Sequence, residues 1–94
     1  MKSFVIAAVV SASALVVSPA YAQEALAKNS GCLNCHAADA KKVGPSFKDI
    51  SAKYKGQADA EAKVTAKLKD GKGHPAVKTS DADTMSLVKW ILAM

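Results

Sequence analysis

Cys32, Cys35 and His36 are the residues whose types and spacing imply chemistry. They lie in the run Cys32-Leu33-Asn34-Cys35-His36 of a 94-residue chain with only two cysteines and two histidines. On a helical turn, residues three and four apart share a face, so Cys35 and His36 both come back over Cys32. Two thiols placed this way can add to the two vinyl groups of one porphyrin, while the adjacent imidazole reaches the iron as its proximal ligand. Cys-x-x-Cys-His is the attachment signature of a c-type haem. The expected cofactor is therefore one haem c, covalently held by Cys32 and Cys35, with His36 on the iron.

The Cys-x-x-Cys part also occurs in thioredoxin-like redox centres and in half of a zinc site. The first needs a βαβ setting, and no strand-helix-strand alternation surrounds the motif. The second needs four Cys or His ligands. Cys32, Cys35, His36 and the distant His74 just supply that number, so zinc stays open as an alternative. No carboxylate pair and no nucleophile-base set stands beside the motif, and nothing in the chain points to an enzyme.

The elements that must position this motif begin after an export leader. Lys2 gives a small positive start, Phe4 to Val17 is apolar apart from Ser11 and Ser13, and Ala20 and Ala22 form the small-x-small pattern of a cleavage site. This predicts a signal peptide over 1–22, removed to leave a mature domain over 23–94. The apolar run is shorter than the about 20 residues a spanning helix needs. Gln23, not a cysteine, follows the cut, so neither a lipid anchor nor another stable membrane anchor is expected. A periplasmic location follows, where thiols would otherwise pair as a disulfide and must be held reduced until haem is attached.

The mature 72 residues suffice for one small domain, and chains of this size bury a limited core unless a cofactor adds to it. Aromatic residues are few there, namely Phe47, Tyr54 and Trp90, so a porphyrin would supply much of the centre. Outside the leader the formal charge is +4, from 12 lysines and 8 acids with no arginine. The haem propionates would lower it to about +2. Lysines interleaved with acids over Asp59 to Asp70 read as a solvated helix face and exclude a nucleic-acid stripe. A weakly basic surface suits redox partner proteins with acidic docking surfaces.

No strand pattern stands out, and the fold class is all-α with about four short helices. The first spans about Glu24 to Asn29 and runs through Ser30-Gly31 into the motif. A second is expected over about Pro45 to Tyr54, started by the proline, with Phe47, Ile50 and Tyr54 on one face and Gly56 at its end. Asp59 opens a third, with acids early and Lys67 and Lys69 late, as the helix dipole favours; Val64 and Leu68 form its apolar stripe, and Gly71 and Gly73 stop it. Ser80 with Asp83 resembles a capping box for the last. There Thr84, Leu87, Val88, Ile91 and Met94 make a face that must be buried, with Trp90 at its edge.

The leader, the Cys-Leu-Asn-Cys-His motif after a short helix, the Val43-Gly44-Pro45-Ser46-Phe47 segment, and the Leu-Val-Lys-Trp-Ile-Leu stretch of the last helix together resemble the small bacterial class I c-type cytochromes. The likeness covers about Ala25 to Tyr54 and Ser80 to Leu92, with Cys32, Cys35 and His36 its most specific part. It implies a cytochrome c fold wrapped around one covalent haem and a Pro45 carbonyl set against the Nδ1–H of His36, fixing the tautomer of that ligand. It also implies first and last helices that cross, with Trp90 packed there.

Such cytochromes usually carry a methionine as sixth ligand in the loop before the last helix. Here that loop, Asp70 to Thr79, contains none. Four outcomes stay open: His74 as sixth ligand, an open or water-bound iron, Met85 in the first turn of the last helix, or Lys78 and other maturation-dependent ligands. A second histidine would lower the potential relative to methionine. The expected function is a monomeric, soluble one-electron carrier between exported or membrane-bound redox proteins. The alternative is a haem-based protein that binds or senses small ligands at a free sixth position.

Overall fold

A computed structural model describes residues 19–94, in which the order of elements is α1 (Pro19–Asn29), a 3-10 turn (Cys32–Asn34), α2 (Phe47–Tyr54), α3 (Ala60–Asp70) and α4 (Asp81–Leu92). Among the described residues there is no strand, so the all-α class holds. The leader expected over 1–22 lies largely outside the described residues. Its described end belongs to α1, which starts five residues before the expected Glu24 and passes through the expected cut between Ala22 and Gln23. No helix among the described residues is long and apolar enough to cross a membrane.

The column of the fold is α4, which packs against α1, α2 and α3. Its start is fixed by Ser80, whose hydroxyl accepts the Asp83 N–H at 3.2 Å. Such a cap satisfies one of the amide donors a helix start leaves open and contributes about 1 kcal/mol. Thr84, Leu87, Val88 and Ile91 are buried, as their three- and four-residue spacing predicts. The one polar member of that face is satisfied: the Thr84 hydroxyl lies 2.9 Å from the Ser80 carbonyl and 2.6 Å from the Thr79 hydroxyl.

The other helices are tied to this column. Ser51 of α2 donates its hydroxyl to the Leu92 carbonyl at 2.9 Å, Lys69 of α3 pairs with Asp81 at the start of α4, and Ala27 of α1 is fully buried. α2 begins at Phe47, two residues after the Pro45 expected at its start. Ser46 takes the capping position instead, its buried hydroxyl accepting the Asp49 N–H at 3.1 Å. The Pro45 carbonyl is thereby left outside the helix, available to a side chain.

The buried apolar side chains among the described residues are Ala27, Phe47, Ala60, Val64, Leu87, Val88 and Ile91. Two of these are alanines, and Ile50, Leu68 and Trp90 remain half-buried. A core this thin gives a small domain little margin over the entropy of ordering its chain.

Candidate functional site

The site is built where α1 gives way to the 3-10 turn. Gly31 adopts the left-handed conformation, with φ 84°, which lets the chain leave α1 and tighten at once; a side chain there would meet the steric cost that L residues carry in this region. The amides of Cys35 and His36 then both donate to the Cys32 carbonyl, at 3.2 and 3.0 Å. This one-turn coil keeps the two thiols and the imidazole together. Both thiols are free and half-buried. Burial pushes the Cys32 thiol above its ordinary pKa, outweighing the opposing effect of a backbone hydrogen bond, so it stays protonated and slow toward oxidation at neutral pH.

The following loop folds back over the turn. Gly44 N–H donates to the Cys35 carbonyl at 2.8 Å, Phe47 N–H to Ala37 at 2.9 Å, and the Lys42 ammonium to the Leu33 carbonyl at 2.8 Å. This return places the Pro45 carbonyl 2.6 Å from Nδ1 of His36. A carbonyl can only accept, so Nδ1 carries the proton and Nε2 keeps its lone pair for a metal. Phe47 backs the ring, with centres 5.4 Å apart at 26°, and Trp90 meets Phe47 edge-on at 5.5 Å and 66°. The first and last helices pack together as expected, and the ring partner of Trp90 there is Phe47 of α2.

The second histidine comes to the same place. His74, in the loop between α3 and α4, has its ring centre 6.1 Å from that of His36, with the planes only 7° apart. Its Nδ1 lies 2.7 Å from the Pro75 carbonyl. Two imidazoles bound through Nε2 to one metal at about 2 Å each have their centres about 6 Å apart. The pair therefore fits a shared iron, and the paired thiols beside His36 fit covalent attachment of a porphyrin. Met85 is 45% exposed on α4, and Lys78 is exposed. Among the described residues no three His, Cys, Asp or Glu side chains converge as a metal cage, so the four-ligand zinc arrangement is not formed there.

Gly44 is a site residue that sequence reasoning treated only as part of a segment. A Cβ built there would lie 2.5 Å from Cε1 and 2.9 Å from Nδ1 of His36. The ring, held by Pro45 on one side and Phe47 on another, has little freedom to retreat. Gly44→Ala is expected to cost about 1–3 kcal/mol through overpacking and to move His36 off the Pro45 carbonyl. Denaturant unfolding beside the parent protein measures the loss; an unchanged midpoint would show that the ring is not confined.

Comparison with known proteins shows the family. A family model described as Cytochrome c matches residues 22–94. The chain is 37% identical to cytochrome c-551 of Pseudomonas aeruginosa, over 99% of this chain and 98% of that protein. It is also 37% identical to cytochrome c-552 of Hydrogenobacter thermophilus, over 100% and 99%. The crystal structure of the class 1 cytochrome MtoD from Sideroxydans lithotrophicus ES-1 superposes with a TM-score of 0.72 at 36% identity, covering 77% of this chain and 91% of that one. Fold, attachment motif and relatives converge: the chain belongs to the cytochrome c family, as a small class I member that carries a single covalent haem c and transfers electrons rather than transforming a substrate.

Proposed function

We propose that this cytochrome holds its haem through thioethers from Cys32 and Cys35, with His36 as proximal ligand oriented by the Pro45 carbonyl, and works as a monomer in the periplasm after loss of residues 1–22. The observation that carries the assignment is the turn itself: two free thiols and an imidazole share one carbonyl-anchored coil, and the imidazole has its Nδ1 tied to Pro45 at 2.6 Å. When bound, the haem supplies a one-electron ferric/ferrous couple. The protein fixes the tautomer and basicity of the ligand and limits access of water.

Its partners are redox proteins with acidic docking surfaces. Lys41 and Lys42 in the loop after His36, and Lys72 and Lys78 in the loop that carries His74, are all exposed. Positive charge in both loops steers an acidic partner toward the site, with rates that fall as salt rises. A ligand-sensing role finds no support among the relatives.

Intact and peptide mass spectrometry of protein from cells that attach haem tests the assignment. The expected mass is that of residues 23–94 plus one haem, located on the peptide containing Cys32 and Cys35. An unmodified peptide with two free thiols would overturn it.

A further inference from the structure

We infer that His74 is the second axial ligand of the iron, held by the carbonyl of Pro75 so that the two imidazole planes lie parallel. The inference rests on the attachment site proposed above and goes beyond it. Nothing in the cytochrome c match assigns this position, and the loop lacks the methionine that the resemblance implies there.

Four independent features meet at His74. It is the chain's only imidazole besides His36. Its ring stands 6.1 Å from that of His36, the spacing two imidazoles need to share a metal. It repeats the arrangement of His36, with Nδ1 on a proline carbonyl, at 2.7 against 2.6 Å, so both rings have the same tautomer and both leave Nε2 as the donor. And its loop is built to hold one conformation. Gly71 and Gly73 take left-handed backbone angles, φ 67° and 72°, the Val77 N–H ties the loop to the Leu68 carbonyl at 2.8 Å, and Pro75 restricts both its own φ and the conformation of His74 before it. The competing donors are worse placed, Met85 being 45% exposed and Lys78 exposed on the surface.

The matched hydrogen bonds have an electronic consequence. Imidazole is a stronger donor to ferric iron than thioether, and a proton held on each Nδ1 by a carbonyl raises ligand basicity further. The potential of this centre lies below that of a protein with a His and Met pair. The 7° angle between the planes has a second consequence. Parallel imidazoles donate into the same iron d orbital and split the d pair, which gives ferric iron a rhombic low-spin electron paramagnetic resonance spectrum. Crossed imidazoles leave that pair nearly degenerate and give one strongly anisotropic feature. Pro75 is then a positioning residue whose stiffness sets the plane of His74.

The test uses the haem-loaded protein and its His74→Ala, His74→Met and Pro75→Gly variants. The parent is expected to give a rhombic low-spin spectrum. His74→Ala keeps covalent haem by mass, becomes high-spin, and returns to low-spin when imidazole is added. His74→Met has a raised potential. Pro75→Gly stays low-spin but loses the single rhombic signal as the His74 plane spreads. A low-spin spectrum in His74→Ala identical to the parent would overturn ligation by His74. A strongly anisotropic parent spectrum, or an unaltered one in Pro75→Gly, would overturn the parallel, proline-set geometry. Absence of covalent haem in the parent would instead remove the attachment reading, so the two failures are distinct.

Discussion

Replacing Cys32 and Cys35 together by serine is expected to give a chain that retains no haem after denaturing extraction and shows little of its helical signal in far-ultraviolet circular dichroism. The substitution is nearly isosteric, and both thiols are free and half-buried, so the serines themselves strain nothing. The effect comes through the cofactor. A group that binds only the folded chain adds its binding free energy to stability, and a covalent attachment keeps that group at the site throughout unfolding. Without it the described residues offer five buried apolar side chains larger than alanine, Phe47, Val64, Leu87, Val88 and Ile91. Domains this small are marginal on that basis. Either single serine variant keeps one thioether and is expected to retain covalent haem at reduced yield. Haem staining after denaturing electrophoresis and circular dichroism read the two effects. A double variant that stays helical with no haem would show that the polypeptide core suffices.

Phe47→Ala is the second large effect. Phe47 is 1% exposed, begins α2, and stands between the ring of His36 and the edge of Trp90. Loss of a buried phenylalanine side chain costs about 3–5 kcal/mol, a large share of the 5–15 kcal/mol typical of a domain. Much of that loss falls on the site, because the cavity opens behind His36 and removes the aromatic support of its ring, leaving Pro45 and Gly44 against it. Guanidinium unfolding should show the full cost, while Phe47→Leu, which fills more of the space, should lose less. Equal stability in Phe47→Ala and the parent would mean that Phe47 does not support the site.

What the sequence disclosed and what it hid follow from the range of the forces involved. The Cys32 to His36 turn, the Ser80 cap and the buried face of α4 depend on neighbours within four residues, and all three were legible. So was the contact between the Pro45 carbonyl and His36, though only through resemblance to a family, since nothing local requires it. The start of α1 was hidden because helix-forming residues continue smoothly from the expected leader into the domain, so composition marks no edge there. Gly44 was hidden for a different reason. Its backbone needs no left-handed angle, and its constraint comes from a ring eight residues away that folds against it. Trp90 likewise meets Phe47 across a helix pair, a partner that periodicity along one helix does not name. The short loop through His74 announced the absence of methionine, but the parallel approach of its ring to His36 exists only in three dimensions.

If His36 and His74 both bind the iron, the one-electron couple of the single haem is shielded from outside ligands. Optical titration of the purified protein against electrode potential, repeated under carbon monoxide, tests this most directly. One reversible single-electron wave is expected, identical with and without carbon monoxide, at a potential below that of a His and Met cytochrome. No reversible wave, or a wave displaced by carbon monoxide, would contradict it.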